Sequence, residues 1–196
     1  MKTLPIYTYG FDVLRKKTKR ISKVDDKTVE LVSNMFYTMH KASGIGLAAP
    51  QVGIDMALLV IDISMIEGEE DKKPLMLINP KIADSHGDVT LEEGCLSIPT
   101  VRAEVERPEK VFIEYQDLDL NPKSIELEGL MSRVAQHEID HLNGVLFIDH
   151  LTKEYRRDFK QQLNLIKNGG IQTSYVLAEL LKKGKKSGKK HLLDGI

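Results

Sequence analysis

The stretch His137-Glu138-Ile139-Asp140-His141 constrains this chain more than any other, because as a helix it carries two histidines on one face. An α-helix turns roughly 100° per residue, so positions four apart return to within about 40° of each other, one turn along. Both imidazoles then leave the same side, close enough to share one metal ion. Glu138 stands next to the first of them, placed to handle a proton on whatever the metal binds. Leu130 and Val134 fall on the same face as the two histidines. The plain alternative is a core stripe that happens to contain histidines. Burying two imidazoles and a carboxylate without partners is costly, however, and a metal removes that cost.

Composition limits what surrounds this helix. The chain has 196 residues, enough for one domain with a sizeable core plus an appendage. Hydrophobic residues make up 41% and charged residues 29%, an ordinary soluble balance. A formal net charge of -1 gives no bulk attraction to nucleic acid or membrane, so neither DNA nor a membrane is an expected partner. The longest apolar runs, such as Ala57 to Ile61, are far too short to span a bilayer. Strand-like sequence begins near Leu4, leaving no room for a signal-peptide core. Cys95 is the single cysteine, which excludes an internal disulfide and suits a reducing compartment. The expected location is the cytoplasm.

The periodicity predicts an α+β fold: antiparallel β-sheets packed around a central helix carrying H-E-x-x-H, with an N-terminal and a C-terminal helix. Leu4 to Tyr9 reads as extended, and the basic run Arg15 to Arg20 as solvated surface. Asp25 or Asp26 caps a helix with Val29, Val32, Phe36 and Met39 inward, ending near His40. His40 reads as a favourable charge at that helix end, not a ligand. Strands are expected over Met56 to Ile63, over Leu75 to Ile78 until Asn79-Pro80 interrupts or ends it, and over 101–106, 111–115 and 124–127. Asp84 to Asp88 reads as a turn with His86 exposed. Asn143-Gly144 ends the central helix, and Val145 to Ile148 reads as a short strand or turn. One helix is expected from about Thr152 to Lys167, and another turn or two over Val176 to Lys183. Residues 1–167 would form the catalytic domain. Residues 168–196 would be a lysine-rich extension, partly disordered, with six lysines between Lys182 and Lys190.

A catalytic divalent metal commonly takes three protein ligands, so the third decides the chemistry. Zinc proteases supply it downstream, and their longer pattern has a glycine three residues after the second histidine and another histidine three further on. Gly144 fits but Phe147 does not. Glu154 and Glu179 are downstream carboxylates outside any motif. A lone cysteine is more often inert than a ligand. Even so Cys95 is favoured, because its thiolate would bind iron or zinc strongly and it stands in the polar, glycine-containing run Glu93-Gly94-Cys95-Leu96-Ser97. A third small-residue stretch, Gly44 to Gly53, reads either as a tight connection or as a place where another backbone comes close.

Together the runs Gly44 to Gln51, Glu93 to Ser97 and His137 to His141 resemble the signature motifs of the peptide deformylases, in that family's order. The likeness extends over about residues 4 to 165. It implies a hydrolase that removes the formyl group from N-formylmethionyl nascent peptides. It also implies Cys95, His137 and His141 as ligands of Fe(II), with Zn(II), Ni(II) or Co(II) able to replace it. Glu138 would be the general acid and base, and Gln51 and the Leu96 N–H would stabilise the oxyanion. Ile45, Gly46 and Gly94 would pair with the substrate backbone. Leu130, Val134, Ile45 and Leu91 would line the methionine pocket, and Arg102 would take a substrate or structural role. A monomer is expected. The rival readings are an H-E-x-x-H endopeptidase and an inactive relative that only binds nascent chains or ribosomes. The lysine-rich end reads as a solubilising tail, with docking to ribosomal RNA through phosphate neutralisation as the functional alternative.

Overall fold

The computed structural model describes residues 1–179. The lysine-rich stretch from Lys182 to Lys190 therefore lies outside the described residues, as does the second half of the expected Val176 to Lys183 helix. The elements follow as α1 (Asp26–Lys41), β1 (Gly46–Ala48), β2 (Leu58–Ile61), β3 (Leu75–His86), β4 (Val89–Cys95), β5 (Ile98–Arg107), β6 (Lys110–Gln116), β7 (Pro122–Glu128), α2 (Gly129–Leu142), α3 (Lys153–Asp158) and α4 (Lys160–Lys167). The pairings between these strands are antiparallel, and an isolated parallel bridge joins Ile6 to Leu177. The strands form a five-stranded sheet in the order β1-β2-β3-β6-β7 and a separate hairpin, β4-β5. The α+β expectation is met.

Strand β2 explains its own unbroken apolar sequence. Leu58 and Val60 pack with Met35 and Met39 of α1, while Leu59 and Ile61 pack with Val134, Ala135 and Ile139 of α2. A strand covered on both faces has no polar side to show. β5, by contrast, alternates buried and exposed positions along most of its length. Its inward residues Val101, Ala103 and Val105 join Phe147, Ile148, Leu163 and Ile166 in a second core under the hairpin. Helix α2 thus sits between sheet and hairpin and is buried almost throughout.

Several local expectations shift. Asp25 is the α1 cap, accepting from the Thr28 N–H and completing a capping box, but Val29 lies exposed and Met35 takes the inward place. Asn79-Pro80 does not end β3. Asn79 adopts a positive φ of 52° and the register shifts there, while its amide bonds Ile21 and Gln116 (2.8 and 2.7 Å), so the strand kinks and continues to His86. The expected Thr152 to Lys167 helix is two, broken at Phe159. Phe147–Asp149 forms a 3₁₀ turn. Val176 to Ala178 is extended, not helical: the Ile6 N–H bonds the Val176 carbonyl (2.9 Å) and the Ala178 N–H bonds the Ile6 carbonyl (2.8 Å). His40 bonds Asp62 (2.8 Å), which gives that helix-end histidine a structural partner.

Gly144, just past α2, has φ +76°, and a Cβ there would lie 2.7 Å from the Arg15 backbone carbon. Gly144→Ala should therefore lower stability by about 1–3 kcal/mol in urea unfolding. An unchanged unfolding midpoint would show that neither the strain nor the contact matters.

Candidate active site

Helix α2 places His137 and His141 one turn apart, with ring centroids 5.0 Å from each other. The end of β4 brings Cys95 to them. Its Sγ is 3.2 Å from Nε2 of His141, and the ligand atoms of Cys95, His137 and His141 all lie within 4.8 Å of one another. The register shifts between Gly94 and Cys95, and the cysteine stays in the hairpin ladder, paired with Ile98 at its turn end. These donors fit a divalent transition metal on their own chemistry. One soft sulfur and two imidazoles converge, with both histidines buried, Cys95 half-buried and the His141 Nε2 turned to the sulfur. Burial, reinforced by the charge on His137, holds His141 well below the ordinary imidazole range, in the neutral form that ligates. Glu154 and Glu179 are both exposed and stand outside this group. Phe147, where a downstream histidine would have been needed, stacks on the His137 ring at 6.1 Å between centroids.

Behind the histidines lies a buried charge cluster. Oε2 of Glu93 meets Nδ1 of His137 at 2.9 Å, which leaves Nε2 of that ring for a ligand. The same carboxylate receives Nε of Arg107 (2.6 Å) and Nη1 of Arg133 (2.8 Å). Arg107 continues to Asp140 (2.7 Å), which is also bonded by His150 (2.7 Å). Burial alone would raise the Glu93 carboxyl, but the hydrogen bonds and charges of His137 and Arg107 bring it well below the usual range. Sequence reasoning assigned Glu93, Arg107 and Arg133 no role. The available signal was Arg133 itself, a charge four residues before His137 on an otherwise apolar helix face.

Glu138 is buried, and burial pushes its carboxyl up to about 7 against the opposing charge of His137. Its Oε2 has no hydrogen-bond partner among the described residues. Gly46 accommodates it: a Cβ there would strike Oε1 of Glu138 and come within 2.7 Å of Val134 Cγ1. Gln51 has its orientation pinned, because the Ala48 N–H donates to its Oε1 at 2.7 Å. Its Nε2 is thereby turned to Cys95 Sγ, 3.5 Å away.

These groups open onto one cleft of about 670 Å³, whose lining includes Ile45, Gly46, Gly94, Leu96, Leu130 and Val134, together with Arg102 at its rim. The cleft lies between two strand edges, since β1 pairs only with β2 and β4 only with β5. Arg102 is largely exposed, sits opposite Gly94 in the hairpin and reaches Glu92 at 3.3 Å. Leu91 is not part of the lining. It is half-exposed and lies four strand residues, roughly 13 Å, before Cys95 along β4. A slightly larger depression of about 770 Å³ lies elsewhere, around Arg20, Lys81 and Glu114, and none of the metal-binding group lines it.

Residues 3–157 match the family model described as polypeptide deformylase. The peptide deformylase of Chlorobaculum parvum is 47% identical over 175 residues, covering 89% of this chain and 94% of that protein. Among solved structures, a peptide deformylase from Legionella pneumophila superposes with TM-score 0.78 at 38% identity, covering 86% of this chain and 98% of that one. A Synechococcus elongatus peptide deformylase, crystallised with actinonin, superposes with TM-score 0.74 at 43% identity, covering 89% and 92%.

Glu93→Gln removes the charge facing two buried guanidinium groups, and unpairing buried ions of this kind costs about 3–5 kcal/mol. Denaturant unfolding should register a loss of that size. A variant as stable as the parent would mean that Arg107 and Arg133 find other compensation.

Proposed function

The chain belongs to the peptide deformylase family, and on that premise we propose how its residues divide the work. It is a metal-dependent hydrolase that removes the formyl group from N-formylmethionyl ends of newly made proteins and releases formate. The observation that carries our assignment is the convergence of Cys95, His137 and His141 beside the buried, half-unpartnered Glu138.

Cys95, His137 and His141 are the metal ligands in this reading, and the family likeness favours Fe(II) over Zn(II), Ni(II) or Co(II). A divalent ion held by these residues would supply Lewis-acid polarisation of the formyl carbonyl and would lower the pKa of a water molecule toward neutrality. Glu138 takes the proton of the attacking water and passes it to the departing amine, its buried carboxyl lining the cleft with one oxygen uncommitted. Gln51 Nε2 and the Leu96 N–H receive the charge that grows on the formyl oxygen. The pinning of Gln51 Oε1 by Ala48 supports this, because only the amide nitrogen is left to face the site.

The substrate backbone adds as an extended strand between the two edges, pairing with Ile45 and Gly46 on one side and Gly94 on the other. Ile45, Leu130 and Val134 receive the methionine side chain, the aliphatic stem of Arg133 completes the wall, and Leu91 is left outside. Arg102, exposed at the rim, meets the peptide beyond its first residues. We further propose a cytoplasmic monomer that meets its substrates at the ribosome. No helix among the described residues is long and apolar enough to cross a membrane.

Three measurements test these roles. Protein purified without oxygen should carry about one metal ion and release formate from a formyl-Met peptide. A metal-loaded protein that leaves such a peptide intact would remove the function. Glu138→Ala should retain its metal and lose at least about 10²-fold in kcat, and retained turnover would take the proton transfers away from this residue. Gln51→Leu should cost about 10²–10³-fold in kcat by removing one oxyanion donor. A loss confined to KM would assign Gln51 to ground-state binding instead.

A further inference from the structure

Beyond α4 the chain turns at Asn168-Gly169-Gly170 and comes back across the molecule. Ile171 packs on the core under the hairpin, and Val176 to Ala178 pair with Ile6. The N-terminal segment that receives this return is already fastened to both catalytic loops. The Tyr7 N–H donates to the Gln51 carbonyl and the Tyr9 N–H to the Ser97 carbonyl, each at 2.8 Å. Between these attachments the return segment sends one side chain inward. The Tyr175 hydroxyl donates to the Leu96 carbonyl at 2.8 Å, and its ring borders the same cleft as Gln51, Cys95 and Glu138. Burial, with the neighbouring Cys95, raises the phenol above its usual range, so it stays a donor.

We propose that Tyr175 is a positioning residue of the oxyanion site and a wall of the substrate cleft. The carbonyls of Leu96 and Ser97 are held in succession, the first by Tyr175 and the second by the Tyr9 N–H. These bonds hold the 96–97 and 97–98 peptides, and Cys95 pairs with Ile98 across the turn. The 95–96 peptide that carries the Leu96 N–H is therefore held between a paired residue and an anchored peptide, which limits its rotation. Preorganised donors are effective because no reorientation is needed as charge develops. The proposal rests on Leu96 as an oxyanion donor. It also carries the catalytic unit past residue 167, to at least Ala178, although the family match ends at residue 157.

The test is steady-state kinetics of the full metal-loaded chain on a formyl-Met peptide, with metal content and Tm measured on every variant. Tyr175→Phe removes the hydroxyl and keeps the ring. It should lower kcat by about 3- to 10-fold, the effect of one modest hydrogen bond, with KM within about twofold, metal content unchanged and Tm lowered by no more than about 2–4 °C. Tyr175→Ala should show the same loss in kcat and, because the wall is gone, a KM raised several-fold. A Tyr175→Phe enzyme with parental kcat overturns the proposal. So does a kcat loss matched by an equal loss of metal, which would make the bond a structural tie only. An active parent with an unaffected Tyr175→Phe variant overturns this inference alone, whereas a parent that releases no formate overturns the functional reading together with it.

Discussion

The carboxylate of Glu93 is the point on which the rest of the structure depends. It belongs to the hairpin, yet its partners Arg133 and His137 belong to the central helix, and Arg107 comes from the opposite hairpin strand. Taking a carboxylate and two guanidinium groups out of water is expensive, and only close, multiple hydrogen bonds offset it. Here they are available in one arrangement, with β4 seated against α2. That arrangement is also what brings Cys95, two residues further along, up to the two histidines. Stability and the metal-binding geometry therefore rest on the same node. Asp140 and His150 extend it to the surface.

How far the sequence disclosed this depended on whether the information was local. His137 and His141 could be placed on one face because helical period relates residues four apart, and both lie where that period puts them. Cys95 was the sole thiol, so choosing it needed no tertiary knowledge. Strand β2 and the Asp25 cap were legible for similar reasons. Glu93, Arg107 and Arg133 were not, since an isolated charge in a sequence looks the same whether it will be solvated or buried against two partners. Asn79-Pro80 looked like a strand end, because nothing local reveals that Ile21 and Gln116 would satisfy the asparagine and let the strand continue. Leu91 was placed at the methionine pocket with the family likeness, and in the structure it is half-exposed and does not line the cleft.

Small residues and buried acid are coupled in the same spirit. Gly46 is required less for turning the chain than for what it leaves out: the volume of one methyl group is where Glu138 and Val134 reside. The cleft's chemistry and its width at that point are therefore one constraint. Of the two strand edges that flank it, β1 is only three residues long and offers no long template for unwanted strand pairing.

The junction between Ile6 and the stretch Val176 to Ala178 has a consequence for the order of events in the life of the molecule. It joins segments separated by nearly the whole chain, and contacts of such separation form late because the intervening loop must first be ordered. During synthesis the N-terminal segment has to wait, unpartnered on that side, until almost every residue has emerged. A protein whose substrates are growing chains thus closes this junction only when its own growth is nearly done.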